Sequence, residues 1–400
     1  MHISLSGFKR FGIISCLLLA PVLAPQASAS APTSSIKMPK ASQSLLLDIK
    51  QVDSKIVIVG ERGHILTSQD QGESWVQADV PTAQMLTAVS FPNNEEGWAV
   101  GHDGNILYTQ DGGETWVLQR DGLKAQNEAN ISAVSIARNK IKELEDKIEK
   151  AQTDGEQSEE TSVMSDGYGV DKPLSLEEQL EEANYDLQEA EDKLDGPLIT
   201  PPLMDVWFSD DKNGWATGAF GSLLQTKDGG KTWVDRSKSI DNPDGYHLNS
   251  VIGTKDTLYI AGEAGYLIYS KDNGETWKKG DLGYDGTIFG LFAAPDSSFV
   301  IATGLRGNTF RTADGGLSWQ KLNSNDDYSL FDGAVYENNH IVMVGAGGAI
   351  SVSLDGGETF KRYTLPTRSA LSAVLPLGGS QFMMVGQGGV HRFDLNSAAK

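Results

Sequence analysis

An eight-residue stretch recurs six times along the 400-residue chain: SQDQGESW (68–75), TQDGGETW (109–116), TKDGGKTW (226–233), SKDNGETW (270–277), TADGGLSW (312–319) and SLDGGETF (353–360). Self-similarity at a fixed period constrains the fold more than any other feature here, because each repeat buries its apolar face only by stacking on its neighbours. The closing aromatics lie 41, 117, 44, 42 and 41 residues apart, and the long gap holds one unit plus an insertion of 76. Each box follows short alternating strands and a Gly-x-x-Gly turn, which recurs at Gly60/Gly63, Gly101/Gly104, Gly218/Gly221, Gly262/Gly265, Gly304/Gly307, Gly345/Gly348 and Gly386/Gly389. Four short strands per forty-odd residues is the pattern of a propeller blade. Seven turns therefore predict an all-β fold, a seven-bladed β-propeller of four-stranded blades, with an inserted antiparallel α-helical hairpin.

The last unit, LSAVLPL followed by QFMMVGQGGVHRFDL, has neither a box nor a fourth strand. Exported β-proteins avoid unpaired edges, so a strand at about residues 34–38 is expected to complete the seventh blade and close the ring. The organisation that follows is 1–29 signal peptide, 30–120 the closing strand with blades 1 and 2, 121–202 the helical insertion, and 203–396 blades 3 to 7. The leader reading rests on Lys9 and Arg10, the apolar run FGIISCLLLAPVLA, and the small residues Ala27, Ser28 and Ala29. The run is shorter than the about twenty residues a spanning helix needs. Ile13, Ile14 and Ser15 resemble a lipoprotein cleavage box before Cys16, but most of the apolar run follows that cysteine, which favours a cleaved leader. No other segment is long and apolar enough to insert directly into a membrane once the leader is gone. The expected location is periplasmic or otherwise exported.

Cys16 is the only cysteine, so the mature chain has no disulfide and no Cys-ligated metal. A net charge of −21 argues against nucleic acid and against anionic membrane surfaces as partners. No cofactor and no metal site are expected.

Six copies of one box cannot be six active sites. An Asp in a tight hairpin accepts hydrogen bonds from nearby N–H groups and hydroxyls, glycine supplies positive φ, and the aromatic buries its face beside a neighbouring blade. Asp70, Asp111, Asp228, Asp272, Asp314 and Asp355, with Trp75, Trp116, Trp233, Trp277, Trp319 and Phe360, are thus read as structural fasteners. The box resembles the Asp-box, or BNR repeat, of sialidases and related propellers, where it is structural and lies away from catalysis. The longer units NEEGWAVGHDGNILYTQDGGETW and DKNGWATGAFGSLLQTKDGGKTW are similar to the photosystem II stability and assembly factor family. The likeness covers residues 34–396 outside the insertion. It implies a seven-bladed Asp-box propeller that acts as a lumenal chaperone for reaction-centre subunits in photosynthetic organisms. In other bacteria similar proteins are linked with exporters of the resistance-nodulation-division (RND) class.

The pairs between the turn glycines differ from blade to blade, which is where a symmetric scaffold becomes specific. Arg62, His102, Phe220 and Arg306 are the expected partner-binding residues; no second His or thiolate is placed beside His102 to make it a metal ligand. The insertion joins blade 2 to blade 3 and so rises from the same face. It carries a heptad seam at Val134, Ala137, Ile141, Leu144, Ile148 and Ala151 and another at Leu176, Leu180, Ala183, Leu187, Ala190 and Leu194, with a loop at 158–173 between them. Two coiled-coil-like arms of about 30–35 Å are expected. Residues 121–202 hold 21 acidic and 8 basic side chains, so most of the negative charge sits there.

Catalysis finds little support. By resemblance a sialidase needs an arginine triad, a Tyr–Glu nucleophile pair and an acid, and none of the mature chain's nine arginines lies in an F/Y-R-I-P context. No G-x-S-x-G elbow, H-E-x-x-H helix or phosphate loop occurs. The chain reads as a non-enzymatic binding or assembly factor that docks a membrane-protein complex. The insertion departs from the photosynthetic pattern and favours an RND-type exporter as client; the alternatives are photosystem II assembly in the thylakoid lumen and a sialidase-like glycoside hydrolase.

Overall fold

The computed structural model describes residues 34–153 and 174–398; the expected leader and the 158–173 loop fall outside the described residues. Seven antiparallel sheets form seven blades, spanning 46–77, 86–120, 203–235, 248–279, 288–323, 330–364 and 371–394. In the first six the chain runs from an inner strand outward through four strands. The inner strands line a central channel, and the core lies between blades. Val57, Val59 and Trp116 of blade 1 and blade 2 share one cluster with Leu86 and Ala99, and Tyr259, Leu267 and Phe310 share another between blades 4 and 5.

The first glycine of each turn is demanded by close approach. A Cβ on Gly60 would lie 2.3 Å from the Leu45 carbonyl oxygen, where the inner strand folds against the end of the second. The same contact, to Met85, is 2.0 Å at Gly101. These crossings coincide with a register shift in the inner strand, between Leu46 and Asp48 in blade 1.

The acidic hairpins share one bond set. Ser68 Oγ donates to Asp70 Oδ1 at 2.8 Å, the Ser74 N–H to the same oxygen at 2.9 Å, and Ser74 Oγ to Oδ2 at 2.5 Å. The Gly72 N–H closes the loop on Ser68 Oγ at 2.7 Å. Asp111, Asp228, Asp272, Asp314 and Asp355 repeat the pattern. The aromatic that follows wedges toward the preceding blade: Trp277 meets Trp215 edge-on at 5.7 Å, and Trp319 meets Tyr259 at 6.1 Å. The hydroxyl and N–H of Thr276, then the Ser270 hydroxyl, hold the Asp272 carboxyl down at about 2. A depressed carboxyl contributes stability above its unfolded pKa and loses it as pH falls through the folded one. Asp272→Ala is therefore expected to melt lower than the parent at pH 7, with the gap shrinking as pH drops from 4 through 2; thermal melts across that range check it.

One expectation fails. Residues 34–38 form no strand and do not reach blade 7. The Ser35 N–H donates to Val80 O at 2.9 Å, the Met38 N–H to Gln77 Oε1 at 2.8 Å, and Lys37 pairs with Asp79 at 3.1 Å, all on the rim of blade 1. Among the described residues blade 7 has three strands. The ring closes instead through side chains, Ile49 and Ile58 of blade 1 against Ala373, Met383 and Val385 of blade 7, with Arg392 and Glu73 paired at 3.0 Å. The seventh Gly-x-x-Gly also differs: Gly386 pairs directly with Gly389, so this turn is one residue tighter than the others.

The insertion forms α1 (Gly122–Thr153) and α2 (Leu176–Asp195), packed on each other through Val134, Ala137, Leu144, Ala183 and Ala190. At 1.5 Å per residue they span about 48 and 30 Å. The first is longer than its seam implied, because it starts at the blade itself rather than at Val134. Ser175 and Glu178 form a reciprocal capping box that starts α2. Arg138–Glu191 at 2.7 Å and Asn130 Nδ2 to Lys193 O at 3.0 Å tie the two helices.

Candidate docking face

In six blades the residue before the second turn glycine adopts the left-handed conformation: Arg62 (φ 56°), Asp103 (57°), Phe220 (55°), Ala264 (50°), Arg306 (55°) and Gly347 (63°). For a residue with a Cβ this costs on the order of 1 kcal/mol. Its side chain is thrown outward. Arg62, Phe220 and Arg306 thus occupy equivalent positions and are exposed, Phe220 to 70%. His102 is also exposed but sits one residue earlier in its turn, where Asp103 takes the left-handed place. The four lie on blades 1, 2, 3 and 5, and no ring contact or hydrogen bond among the described residues joins any two of them. Phe220 rests edge-on against His247 at 4.9 Å. Arg62 Nη1 reaches Met38 Sδ at 3.8 Å.

The arm roots on this face. A Cβ on Gly122 would meet the Asp103 carbonyl oxygen at 2.0 Å, and Arg120 Nη1 donates to Gly104 O at 2.5 Å. On the return the Ala219 N–H donates to Pro202 O at 3.0 Å. The arm therefore stands between the turns of blades 2 and 3, at the strand ends opposite the acidic hairpins. A cleft of about 340 Å³ opens at its root between Arg120, Ala125, Phe220 and Trp233. Burial lowers the Arg120 pKa there. Ile199, 74% exposed, adds an apolar side chain beside the root that the sequence reading passed over; an Ile in the short segment before two prolines was the available signal. The negative charge is not spread along the arm. Counted from the sequence, α1 carries six basic and five acidic side chains, whereas α2 carries nine acidic and one basic.

A second feature lies inside the ring. Asp48, Asp205 and Asp332 occupy the same position on the inner strands of blades 1, 3 and 6, and each accepts an N–H from the next blade: Val89 at 2.9 Å, Val251 at 2.9 Å and Val374 at 3.2 Å. Lys50 Nζ binds Asp48 at 3.0 Å. About half of the Lys50 side chain is exposed; desolvation lowers its pKa, but Asp48, Asp332 and Asp205 outweigh that and hold it above the usual range. Burial pushes Asp205 up to about 6 and Asp332 up to about 7. Among the described residues no group of three or more His, Cys, Asp or Glu is arranged to hold a metal ion, and no helix is long and apolar enough to cross a membrane.

The family described as photosynthesis system II assembly factor YCF48 matches residues 73–143 and 192–325. The chain belongs to this family. Its match breaks off at 143 and resumes at 192, so most of the arm lies outside the shared pattern. The photosystem II assembly lipoprotein Ycf48 of Prochlorococcus marinus is 32% identical over 201 residues, 49% of this chain and 58% of that protein. The protein of the same name in a Synechococcus species is 30% identical over 158 residues, 39% of this chain and 47% of that one. The chain thus spans about half the length of these curated relatives. Among solved structures, YCF48 bound to D1 peptide superimposes with a TM-score of 0.57 at 16% identity, covering 90% of this chain and 96% of that one. YCF48 from Cyanidioschyzon merolae gives 0.55 at 17%, covering 90% and 98%. The Niastella koreensis GH74 enzyme gives 0.59 at 12%, covering 91% of this chain but 54% of that one. At these identities the likeness shows the propeller fold alone.

Proposed function

We propose that the protein is a non-catalytic, exported assembly factor that docks a membrane-protein complex through the Gly-x-x-Gly face and the helical arm. The observation that carries this reading is the display of Arg62, Phe220 and Arg306 at one strained turn position, on the face from which the arm rises. Strain of this kind persists where the surrounding structure holds it, and it clusters at functional sites. Membership of the YCF48 family supports an assembly role, and a protein of the same fold is described as bound to a D1 peptide. The named relatives favour a photosystem II subunit as client over the exporter expected from the insertion. The exporter reading came from the insertion alone, and these relatives lend it no support.

Deleting residues 125–198 and joining the ends with a short linker is expected to leave a folded propeller. That deletion, combined with Arg62→Glu and Arg306→Glu, is expected to reduce client recovery in pull-downs from the native envelope at least tenfold. Undiminished recovery would show that the face is wrongly assigned. Cross-linking the mature chain in its own envelope distinguishes photosystem subunits from exporter components. A screen with sialosides and β-glucans addresses the hydrolase alternative, which turnover abolished by single face substitutions would establish.

A further inference from the structure

Among the described residues blade 7 ends at its third strand, Gly389–Asp394, whereas each of the other six blades carries an outer strand. Among the described residues no backbone group pairs with the free edge of that strand. Its hydrogen-bonding phase is readable from blade 1. Val385 pairs with Val390 as Val59 pairs with Ile65, and the Ile65 carbonyl accepts the Ala78 N–H at 2.9 Å on the outer side. By that register the Val390 carbonyl and, two residues on, the Arg392 N–H and carbonyl point outward. Where the strand ends, a hollow of about 200 Å³ lies between Leu377, Phe382 and Phe393, rimmed by Gln381 and Arg392. This is the end of the blade at which the other six carry the aromatic of an acidic hairpin.

We propose that blade 7 takes an extended segment of a partner protein as its fourth strand, with a large apolar side chain of that segment in the Leu377–Phe382–Phe393 hollow. The inference deepens the assembly-factor reading and rests on it. Strand addition draws affinity from main-chain hydrogen bonds and selectivity from pockets for alternate side chains, and both are present at this edge. The chain's own N-terminal segment is not the donor. Residues 41–43 cross only the turn end of the edge, where a Cβ on Gly389 would meet Ser42 O at 2.0 Å; the segment before them is bonded along blade 1, and at Ser35 it has reached Val80, which packs in the cluster between blades 1 and 2. A second copy is disfavoured by the strong net negative charge that each would carry.

The test uses the full processed chain and a defined probe, the peptide ETWVLQRD, which is the outer strand of blade 2 with its aromatic (residues 114–121). Saturating peptide is expected to slow amide hydrogen exchange at Arg392 at least tenfold. The peptide with Trp116→Ala should bind at least tenfold more weakly. A peptide N-methylated on the amides facing the edge should give no protection, while methylation on the opposite amides should be tolerated; these controls leave the protein untouched. Arg392→Pro, which removes the outward N–H without breaking the pairing inside the sheet, should abolish protection at Val390 and its neighbours. The proposal is overturned if Arg392 is already protected without peptide, if protection instead grows with protein concentration as a dimer forms, or if millimolar peptide protects nothing. Any of those results leaves client capture through Arg62 and Arg306 standing, since pull-down reads that separately.

Discussion

Replacing Asp332 by Asn is expected to stabilise the propeller at pH 8 by on the order of 4 kcal/mol and to change little at pH 4. Asp332 faces the channel from the inner strand of blade 6, and burial pushes its carboxyl up to about 7, from 3.8 in an unfolded chain. Lys50 and the N–H groups of Gly333 and Val374 offset only part of that cost. Between those two values the folded chain keeps a proton that the unfolded chain has released. Stability therefore falls as pH rises from about 4 to about 7. Roughly three pH units at about 1.4 kcal/mol each set the size of the effect. Asn does not ionise, yet its side-chain oxygen still accepts the Val374 N–H. Denaturant unfolding of both chains at pH 4, 6 and 8 checks this. Parallel curves would mean that channel water solvates the ionised carboxylate and that burial is not the governing cause.

That aspartate also shows what was legible in the sequence and what was passed over. The repeat carried the blades, the turns and the site of the insertion, because backbone geometry demands glycine and Asp at fixed offsets in every unit. The channel carboxylates left a signal of the same kind. Leu46-Leu47-Asp48, Leu203-Met204-Asp205 and Leu330-Phe331-Asp332 each put an acid third in an apolar inner strand. What the three share, and what the sequence does not show, is an N–H from the next blade that each accepts.

Two other features exist only in three dimensions. The two variable residues of a Gly-x-x-Gly turn look interchangeable in sequence, but only the second is left-handed. This separates His102 from Arg62, Phe220 and Arg306. The closing strand was placed by counting offsets, which assumes that the first segment pairs with the last blade. The Val80 carbonyl accepts from the Ser35 N–H, and the Gln77 amide accepts from the Met38 N–H and donates to Ile36 O, which holds that segment on blade 1 instead.

Trp98→Ala is expected to cost about 3–5 kcal/mol, the largest loss of any single side chain between blades. Trp98 is fully buried on the second strand of blade 2 and stacks on Phe208 of blade 3, with centroids 3.6 Å apart and planes 10° from parallel. Its Nε1 donates to Gln119 Oε1 at 3.0 Å, and Gln119 Nε2 donates in turn to Gly229 O at 2.8 Å. Truncation thus removes a stacked ring and loosens a bonded bridge to blade 3 in one step. Trp319, half-buried and with no partner for its Nε1 among the described residues, should cost less when cut to Ala. A closed ring turns this local loss into a global one, because blades 2 and 3 cannot part without straining the packing between blades 7 and 1. Urea unfolding should therefore show one transition shifted to lower denaturant, not a separate early phase. Trp98→Phe keeps an aromatic face for Phe208 but loses the bond, and should recover most of the stability. If both substitutions cost the same, the bridge through Gln119 holds these blades together and the stack does not.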